Sequence, residues 1–230
     1  MKREIPFMVG VALLAFILQS CQSKPEEDLL KRYFHAASLN DMTTMSTMAL
    51  EPVDMDVEKW KIAAASEVEV NPPILPELNK KELELKKKVE ESVVTTLDAR
   101  DALDVAEFEL ENARTSAAKR AARKKVDDLK AEYDEIYEIH KQLQKDYNEA
   151  KTAAAREEEI TMFSLGAREL PNVREFTGEV YYQTVDVKVT NSEGEEKTYR
   201  FYLRRYNLKD ESLNVDHRGR WIIVDIESLS

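Results

Sequence analysis

Residues Glu77 to Leu165 contain neither proline nor glycine, so more than a third of the chain lacks the usual breakers of regular structure. Within this stretch, apolar or small residues recur at alternating spacings of four and three. The first run is Leu85, Val89, Ser92, Thr96, Ala99, Leu103, Ala106, Leu110, Ala113 and Ala117, and the second is Val126, Leu129, Tyr133, Ile136, His140, Leu143, Tyr147, Ala150 and Ala154. This is the heptad spacing of packed helices, and it predicts a coiled coil over residues 77–165.

The two runs also fit each other as an antiparallel hairpin that folds near residue 118. In that register Leu110 lies opposite Val126, and Thr96 lies opposite His140, where a polar layer would fix the alignment. Several layers pair a small residue with a large one, as close helix packing requires. The alternative is one continuous helix that dimerises, because no strong breaker marks the tip.

The residues before this stretch predict two helices and a strand. Pro25 and the acids after it favour a helix start, and a stripe follows at Leu29, Leu30, Tyr33, Phe34 and Ala37. Asn40-Asp41 indicates a helix stop and a new N-cap, with a second short helix through Leu50. The segment from Trp60 to Val70 predicts a strand, and prolines 72, 73 and 76 then interrupt regular structure.

After Pro171 the apolar period changes to two, which predicts three antiparallel strands with one buried face. Their core-facing residues are expected to be Tyr181, Val185, Val187 and Val189, then Tyr199, Phe201 and Leu203, and finally Ile222, Val224 and Ile226. Residues 191–194 (Asn-Ser-Glu-Gly) are typical of a hairpin turn between the first two strands.

The predicted order of elements resembles the nuclear transport factor 2-like fold, a curved sheet that wraps helices into a cone. Three segments carry the resemblance: residues 33–41, the strand at Trp60-Lys61-Ile62, and the closing segment 219–224. We therefore expect an α+β fold in which a small antiparallel sheet packs on the N-terminal helices and a long antiparallel coiled-coil hairpin is inserted. The domains would be residues 21–76 together with 166–230, and the hairpin at 77–165.

Cys21 is the single cysteine of the chain, and it ends an apolar stretch that runs from Ile5 to Leu18. The segment Leu18-Gln19-Ser20-Cys21 resembles the lipobox of bacterial lipoproteins. The resemblance implies a signal peptide at residues 1–20 and acyl chains, including palmitate, on Cys21. It also implies a protein anchored to the cell membrane, at the outer membrane facing the periplasm if the organism is Gram-negative. Ordinary secretion and an uncleaved anchor are the alternatives.

The composition of the chain argues against several classes of function. The net charge of −11 argues against general nucleic-acid binding, which needs Lys and Arg to neutralise phosphates. With one cysteine, a disulfide framework is excluded. We find no phosphate-binding glycine loop, nucleophile elbow or catalytic triad, and we expect neither an enzyme nor a cofactor.

Six cations cluster at the expected hairpin tip, with no acid among them: Arg114, Lys119, Arg120, Arg123, Lys124 and Lys125. On an otherwise acidic protein they predict a docking surface for a protein or an anionic envelope partner. The simpler alternative is a solvated helix end, with Arg114, Lys119 and Arg120 favoured by the C-terminal dipole of the first helix. That alternative does not account for residues 123–125.

Three weaker patterns carry candidate chemistry. A methionine series at Met42, Met45, Met48 and Met55 fits either Cu(I) ligation or, more simply, core packing. His35, His140 and His217 lack the spacing of a metal pair, and we expect a loop at His217. The strand from Tyr199 to Tyr206 alternates aromatics with Arg200, Arg204 and Arg205, which favours Tyr–Arg stacking on a solvated face over a small acidic ligand near Thr184 and Lys188.

These features together predict a membrane-anchored scaffold of the cell envelope, with the hairpin as docking arm. One alternative is an adaptor of an efflux or secretion assembly, although the glycine-rich halves usual in such adaptors are missing here. Another is a small-molecule-binding or enzymatic cone, which would need an acid–base pair inside a cavity.

Overall fold

The computed structural model describes residues 25–229, and the α+β class is confirmed for that part of the chain. The predicted signal peptide and Cys21 lie outside the described residues. The elements, in chain order, are α1 (Pro25–Ser38), α2 (Met42–Met45), β1 (Lys59–Ala65), β2 (Glu69–Asn71), α3 (Leu75–Asn112), α4 (Ser116–Leu165), β3 (Thr177–Thr190), β4 (Glu196–Asp210), β5 (Val215–Arg218) and β6 (Ile222–Ser228).

Within the described residues, six strands form one sheet in the order β1-β3-β4-β5, with β2 also paired to β3 and β6 also paired to β4. The pairs β1–β3, β4–β5 and β4–β6 are antiparallel. The turn at residues 191–194 is confirmed: the Gly194 amide donates to the Asn191 carbonyl at 3.0 Å, and Gly194 has a φ of 84°. The sheet is larger than predicted, because β2 and β5 lack a clear apolar alternation.

The chain forms two compact units. The first unit comprises the described residues up to Glu69, with Tyr181–Arg205 and the residues from Arg220 onward. The second comprises Val70–Val180 and Tyr206–Gly219. Long strands β3 and β4 contribute residues to both units, whereas α3 and α4 belong wholly to the second.

An aromatic cluster forms the core of the first unit. Tyr33 and Phe34 of α1 contact Phe201 of β4 edge to face, and Phe34 stacks on Trp60 of β1 with ring centroids 4.7 Å apart. All five residues of the predicted α1 stripe are buried, as are Val185, Val187 and Val189 of β3. The sequence pattern therefore identified both faces that meet here, and large rings fill the space between them.

The predicted alternation of β6 is wrong in phase. Trp221 and Ile223 belong to the core cluster, whereas Ile222 and Val224 are buried outside it. The register against β4 shifts between Tyr202, which pairs with Asp225, and Leu203, which pairs with Ile223. Val224 therefore has no partner in this strand pairing. An extra residue in one strand reverses the faces of the residues beyond it, and Ile226 thereby reaches the core.

The second predicted helix is shorter than expected. Asp41 caps α2, since its carboxylate accepts from the Thr44 amide at 3.0 Å, and the hydroxyl and amide of Thr44 hold the pKa of Asp41 below its ordinary value. Yet α2 ends at Met45 rather than near Leu50. The chain then pairs with β6, where the Leu50 amide donates to the Ile223 carbonyl at 3.0 Å. Tertiary hydrogen bonds thus end the helix.

Helices α3 and α4 pack along the predicted seam. Every seam residue from Leu85 to Ala113 on the first side, and from Val126 to Ala154 on the second, is buried or partly buried. Leu103, Ala106, Ala150 and Ala154 are the most enclosed of them. The hairpin is therefore confirmed, and the alternative of one continuous helix is excluded by the break between Asn112 and Ser116.

The predicted register of the hairpin is wrong by about one turn. Ser92, not Thr96, meets His140, with 2.8 Å between the serine hydroxyl and the histidine Nδ1. The chain reverses at residues 113–115 rather than near 118. A heptad seam matches its partner nearly as well after a shift of one turn, so the loop decides the register.

Candidate functional site

Local hydrogen bonds define the tip of the hairpin. The α3 helix ends where the Ala113 amide donates to the Leu110 carbonyl at 3.3 Å and the backbone turns extended. Thr115 then caps α4, and its hydroxyl accepts from the Ala118 amide at 3.1 Å. The side-chain amide of Asn112 donates to the Phe108 carbonyl at 2.8 Å, which satisfies one more group at the helix end. A loop of only three residues therefore holds the two helix ends together.

All six cations predicted at the tip are exposed. Arg114 lies in the loop, and the other five lie within the first ten residues of α4. Lys125 pairs with Glu109 across the hairpin, with 2.7 Å between Nζ and Oε2. Among the described residues the other five make no ion pair. The structure thus brings the predicted cations together at one end of the hairpin and leaves five of the six without an ion pair among the described residues.

The helix dipole does not account for this cluster. The alternative explanation, which places Lys119 and Arg120 at the C-terminal end of the first helix, is wrong, because α4 begins at Ser116. Both side chains stand near the N-terminus of α4, where the dipole disfavours cations, and the first turn of α4 carries no acid. The positions are therefore electrostatically costly for the isolated helix.

Carboxylates of α3 moderate the charge of the tip, a feature that the sequence analysis missed. Glu107, Glu109 and Glu111 are exposed and lie near the end of α3, within three to seven residues of Arg114. Six cations against three carboxylates still leave residues 107–125 positive, in a chain whose net charge is −11. The Glu109–Lys125 pair depends on the register of the hairpin, so sequence spacing gives no local signal for it.

The arginines of β4 have structural partners. Arg200 forms a two-pronged pair with Asp186 at 2.7 and 2.9 Å, and this hydrogen bonding holds the pKa of the Asp186 carboxyl below its ordinary value. Arg204 stacks over Tyr182 at 5.0 Å. The predicted Tyr–Arg stacking on this face is thus confirmed, and its guanidinium groups serve the packing of the sheet.

Arg205 stacks on two rings of the first unit. Its guanidinium lies 4.3 Å from the centre of the Tyr181 ring and 5.3 Å from that of Trp221. Its Nε is enclosed without a hydrogen-bond partner among the described residues. The two aromatic contacts offset part of that cost.

The methionines and histidines occupy separate places. Met45, Met48 and Met55 are buried in the first core, which agrees with core packing, whereas Met42 is exposed. His35 is exposed on α1, and His140 lies in the helix seam. The expected loop at His217 is wrong: His217 lies in β5 and stacks on Phe176 at 5.1 Å. Within residues 25–229 no group of three or more His, Cys, Asp or Glu side chains is arranged to hold a metal ion.

Two polar clusters of the second unit escaped the sequence analysis. Arg174 joins the hairpin helices, with 2.7 Å from its Nη1 to Glu82 of α3 and 2.8 Å from its Nε to Glu158 of α4. The Tyr206 hydroxyl donates to the buried carboxylate of Glu157 at 2.6 Å. Both clusters tie distant parts of the chain together, and sequence spacing of 16 to 92 residues gives no local signal for them.

The comparisons give no relative from which a function could be carried over. No protein-family model, no curated protein and no solved structure matches this chain. In the part of the chain that the structure describes, none of the helices combines the length and apolar character of a membrane span. The geometry of the hairpin tip is therefore the main structural basis for a functional proposal.

Proposed function

We propose that this protein is a lipid-anchored scaffold of the bacterial cell envelope and that its helical hairpin is a docking arm for an anionic partner. The cluster at the tip carries this proposal. Five exposed cations there make no ion pair among the described residues, and two of them, Lys119 and Arg120, stand near a helix N-terminus that disfavours cations. A surface that costs stability without an internal partner favours an external one.

The dimensions of the hairpin support the same role. The α3 helix has 38 residues and α4 has 50. At 1.5 Å per residue, the shorter helix is roughly 57 Å long. The loop at its end presents cations far along the helix pair from the buried residues Leu75 and Ser164. An extended arm with a charged end suits reaching and holding a partner better than enclosing a small molecule.

Attachment at Cys21 is the second part of the proposal. Cys21 stands four residues before α1, so a lipid there would leave only a short tether. Two or more acyl chains give firm anchoring, whereas one chain gives marginal binding. In cells, Cys21→Ala should either cause the unprocessed precursor to accumulate or release the chain from washed membranes. Unchanged processing and unchanged membrane association would refute the lipid anchor.

The first unit is assigned, within the same proposal, to the nuclear transport factor 2-like fold. Helix α1 lies on a sheet that includes β1, β3, β4 and β6, and the rings of Tyr33, Phe34 and Phe201 fill the face between them. This filled face supports a scaffold rather than a catalytic cone. Measured distances between spin labels on α1 and on the outer strands would support the assignment if the sheet curves around α1, and distances that fit a flat sheet or a closed barrel would contradict it.

Binding to vesicles and to envelope extracts tests the docking arm. The six tip cations are replaced by glutamine, and a matched control variant carries glutamine at six other exposed lysines of the hairpin, namely Lys81, Lys88, Lys130, Lys141, Lys145 and Lys151. We expect the tip variant alone to lose binding to vesicles rich in phosphatidylglycerol or recovery of a co-purified acidic partner. Equal losses in both variants, or no loss in either, would contradict the proposal.

A further inference from the structure

Helix α3 has a second apolar stripe, on the face opposite its seam with α4. Leu83, Val94, Leu97, Val105 and Phe108 are each more than half exposed, and Phe108 reaches 67%. At 100° per residue these five side chains lie within about 80° of one another around the helix. The enclosed seam residues Leu103 and Ala106 point to the other side by the same geometry. A helix that packs against one partner is expected to have one apolar face, so packing against α4 does not explain this second stripe.

The stripe is regular along its whole length. Leu83, Val94 and Val105 follow one another at intervals of eleven residues, and Leu97 and Phe108 repeat the interval. Eleven residues make three turns of a nearly straight helix, so the stripe stays on one face for about 40 Å. Three charged residues in the same sector, Lys87, Glu90 and Asp101, separate Leu83 from the pair Val94 and Leu97, and that pair from Val105 and Phe108. Exposed apolar groups that repeat along one helix face in this way favour an interaction site.

We propose that this stripe is a self-association surface, on which α3 of a second copy packs antiparallel. Four of its five side chains pair with one another in one register, about an axis between residues 95 and 96, and Val105 then lies opposite Lys86 of the second copy. Leu83 then lies opposite Phe108 of the second copy, and Val94 lies opposite Leu97. Because an antiparallel pair has two-fold symmetry, each of these contacts occurs twice.

Charge along the helix selects the antiparallel direction. The first half of the stripe carries Lys80, Lys86 and Lys87 beside Glu90 and Glu91, so its charge is mixed. The second half is acidic, with Asp98, Asp101, Asp104, Glu109 and Glu111. In the proposed register Lys87 meets Asp104 of the second copy, and Lys80 meets Glu111. A parallel pair would instead place the acidic halves side by side, and repulsion would oppose it.

The surface area that this register buries indicates how strong the contact is. Removing the exposed parts of five such side chains from water buries on the order of 400 Å² per copy, which is below the roughly 600 Å² per partner of stable interfaces and typical of weak, transient ones. Glu90 meets Asp101 in this register, and two such like-charged layers weaken the pair. The expected state is a reversible dimer that neither the tip cations nor the lipid anchor is needed to form.

Cysteine crosslinking of the full chain in isolated envelopes tests the arrangement. The variant Leu83→Cys/Phe108→Cys should give a covalent dimer under mild oxidation, and each single variant should give no more than the unchanged protein. The two cysteines of one chain are about 37 Å apart along the helix, so they cannot join within a copy. The variant Lys130→Cys/Lys151→Cys, on exposed positions of α4, reports random collisions. Cys21 is present in every variant, so the unchanged protein gives the background level of dimer. Dimer above that background in a single variant would overturn the antiparallel direction, and a double-variant dimer no stronger than the control on α4 would overturn self-association.

Charge exchange in the crosslinking variant tests the register. Lys87→Glu alone and Asp104→Lys alone should each reduce the dimer, and the two together should restore it. Glu90→Lys should increase it, because the like-charged layer becomes an attractive one. Since all three side chains are exposed, loss of folding would not produce this pattern. Failure of the double exchange to restore the dimer would overturn the proposed register, whatever the tip cations bind.

Discussion

The hydroxyl of Ser92 and the Nδ1 of His140 lie 2.8 Å apart in the seam between α3 and α4, although 48 residues separate them in sequence. The Ser92 hydroxyl is also 2.8 Å from the Val89 carbonyl of its own helix. Apolar layers of a seam tolerate a shift by one turn, whereas a partly buried polar pair is satisfied in only one alignment. This pair therefore stabilises the register that the loop at residues 113–115 sets.

Replacing one member of this pair should lower the free energy of unfolding. Ser92→Ala leaves the partly buried His140 without its partner, and we expect a loss of about 1 kcal/mol in the free energy of unfolding. Denaturant unfolding followed by circular dichroism measures it. Thr95→Ala, an exposed hydroxyl on the next turn, is the matched control, and equal effects of the two substitutions would show that the pair does not matter.

The loop that sets the register depends on its cap. Thr115→Ala removes the acceptor of the Ala118 amide, and we expect faster hydrogen exchange at that amide and a loss of about 1 kcal/mol of stability. Ser116→Ala removes a neighbouring hydroxyl without a cap role, so it should leave the exchange unchanged. Slow exchange at Ala118 in both variants would contradict the assigned cap.

The prediction of the seam succeeded because side chains that are buried between two packed helices must recur at the heptad spacing. The prediction of the register failed because the period is the same before and after a shift of one turn. Thr115-Ser116 was an available N-cap signal, and it locates the loop correctly. In β6 the alternation was visible, but the bulge at Val224 depends on pairing with β4 and leaves no local trace.

For the candidate site, clustering of the six tip cations could be predicted, because a hairpin turn gathers neighbours in sequence. The pair between Lys125 and Glu109 required the register. The Arg174 contacts to Glu82 and Glu158 join residues up to 92 positions apart, and only the fold reveals them. Sequence spacing therefore predicts local charge and periodic faces, but not long-range polar contacts.

Arg174 should stabilise the base of the hairpin. Arg174→Met removes a cation held between two partly buried carboxylates, and Glu82 and Glu158 then repel each other. We expect a loss of roughly 1–3 kcal/mol, measured by denaturant unfolding. The control is Arg168→Met at an exposed position in the segment after α4. A destabilisation no larger than that of the control would contradict the role given to Arg174.

Alkaline pH should weaken the first unit through Tyr33. Burial raises the pKa of Tyr33 from 10.0 to about 12, although the amide of Val53 donates to its hydroxyl oxygen and acts in the opposite direction. Because the folded-state pKa is raised, this contribution is complete below pH 10 and is lost as the pH rises from 10 to 12. The loss approaches about 3 kcal/mol.

Tyr33→Phe separates this effect from other groups that titrate in the same range. We expect the free energy of unfolding of the unchanged protein to fall more steeply between pH 10 and 12 than that of the variant. Parallel curves would show that Tyr33 does not ionise on unfolding in this range.

The docking role of the tip is tested most directly by photocrosslinking in living cells. A photoreactive residue at the exposed Ala117, beside the cations, should give a discrete adduct, and the same residue at the exposed Thr152, far along α4, should not. Replacing the six cations by glutamine should abolish the adduct while the amount of folded protein stays the same. An adduct that persists after their replacement, or that forms equally from Thr152, would contradict a cationic docking tip.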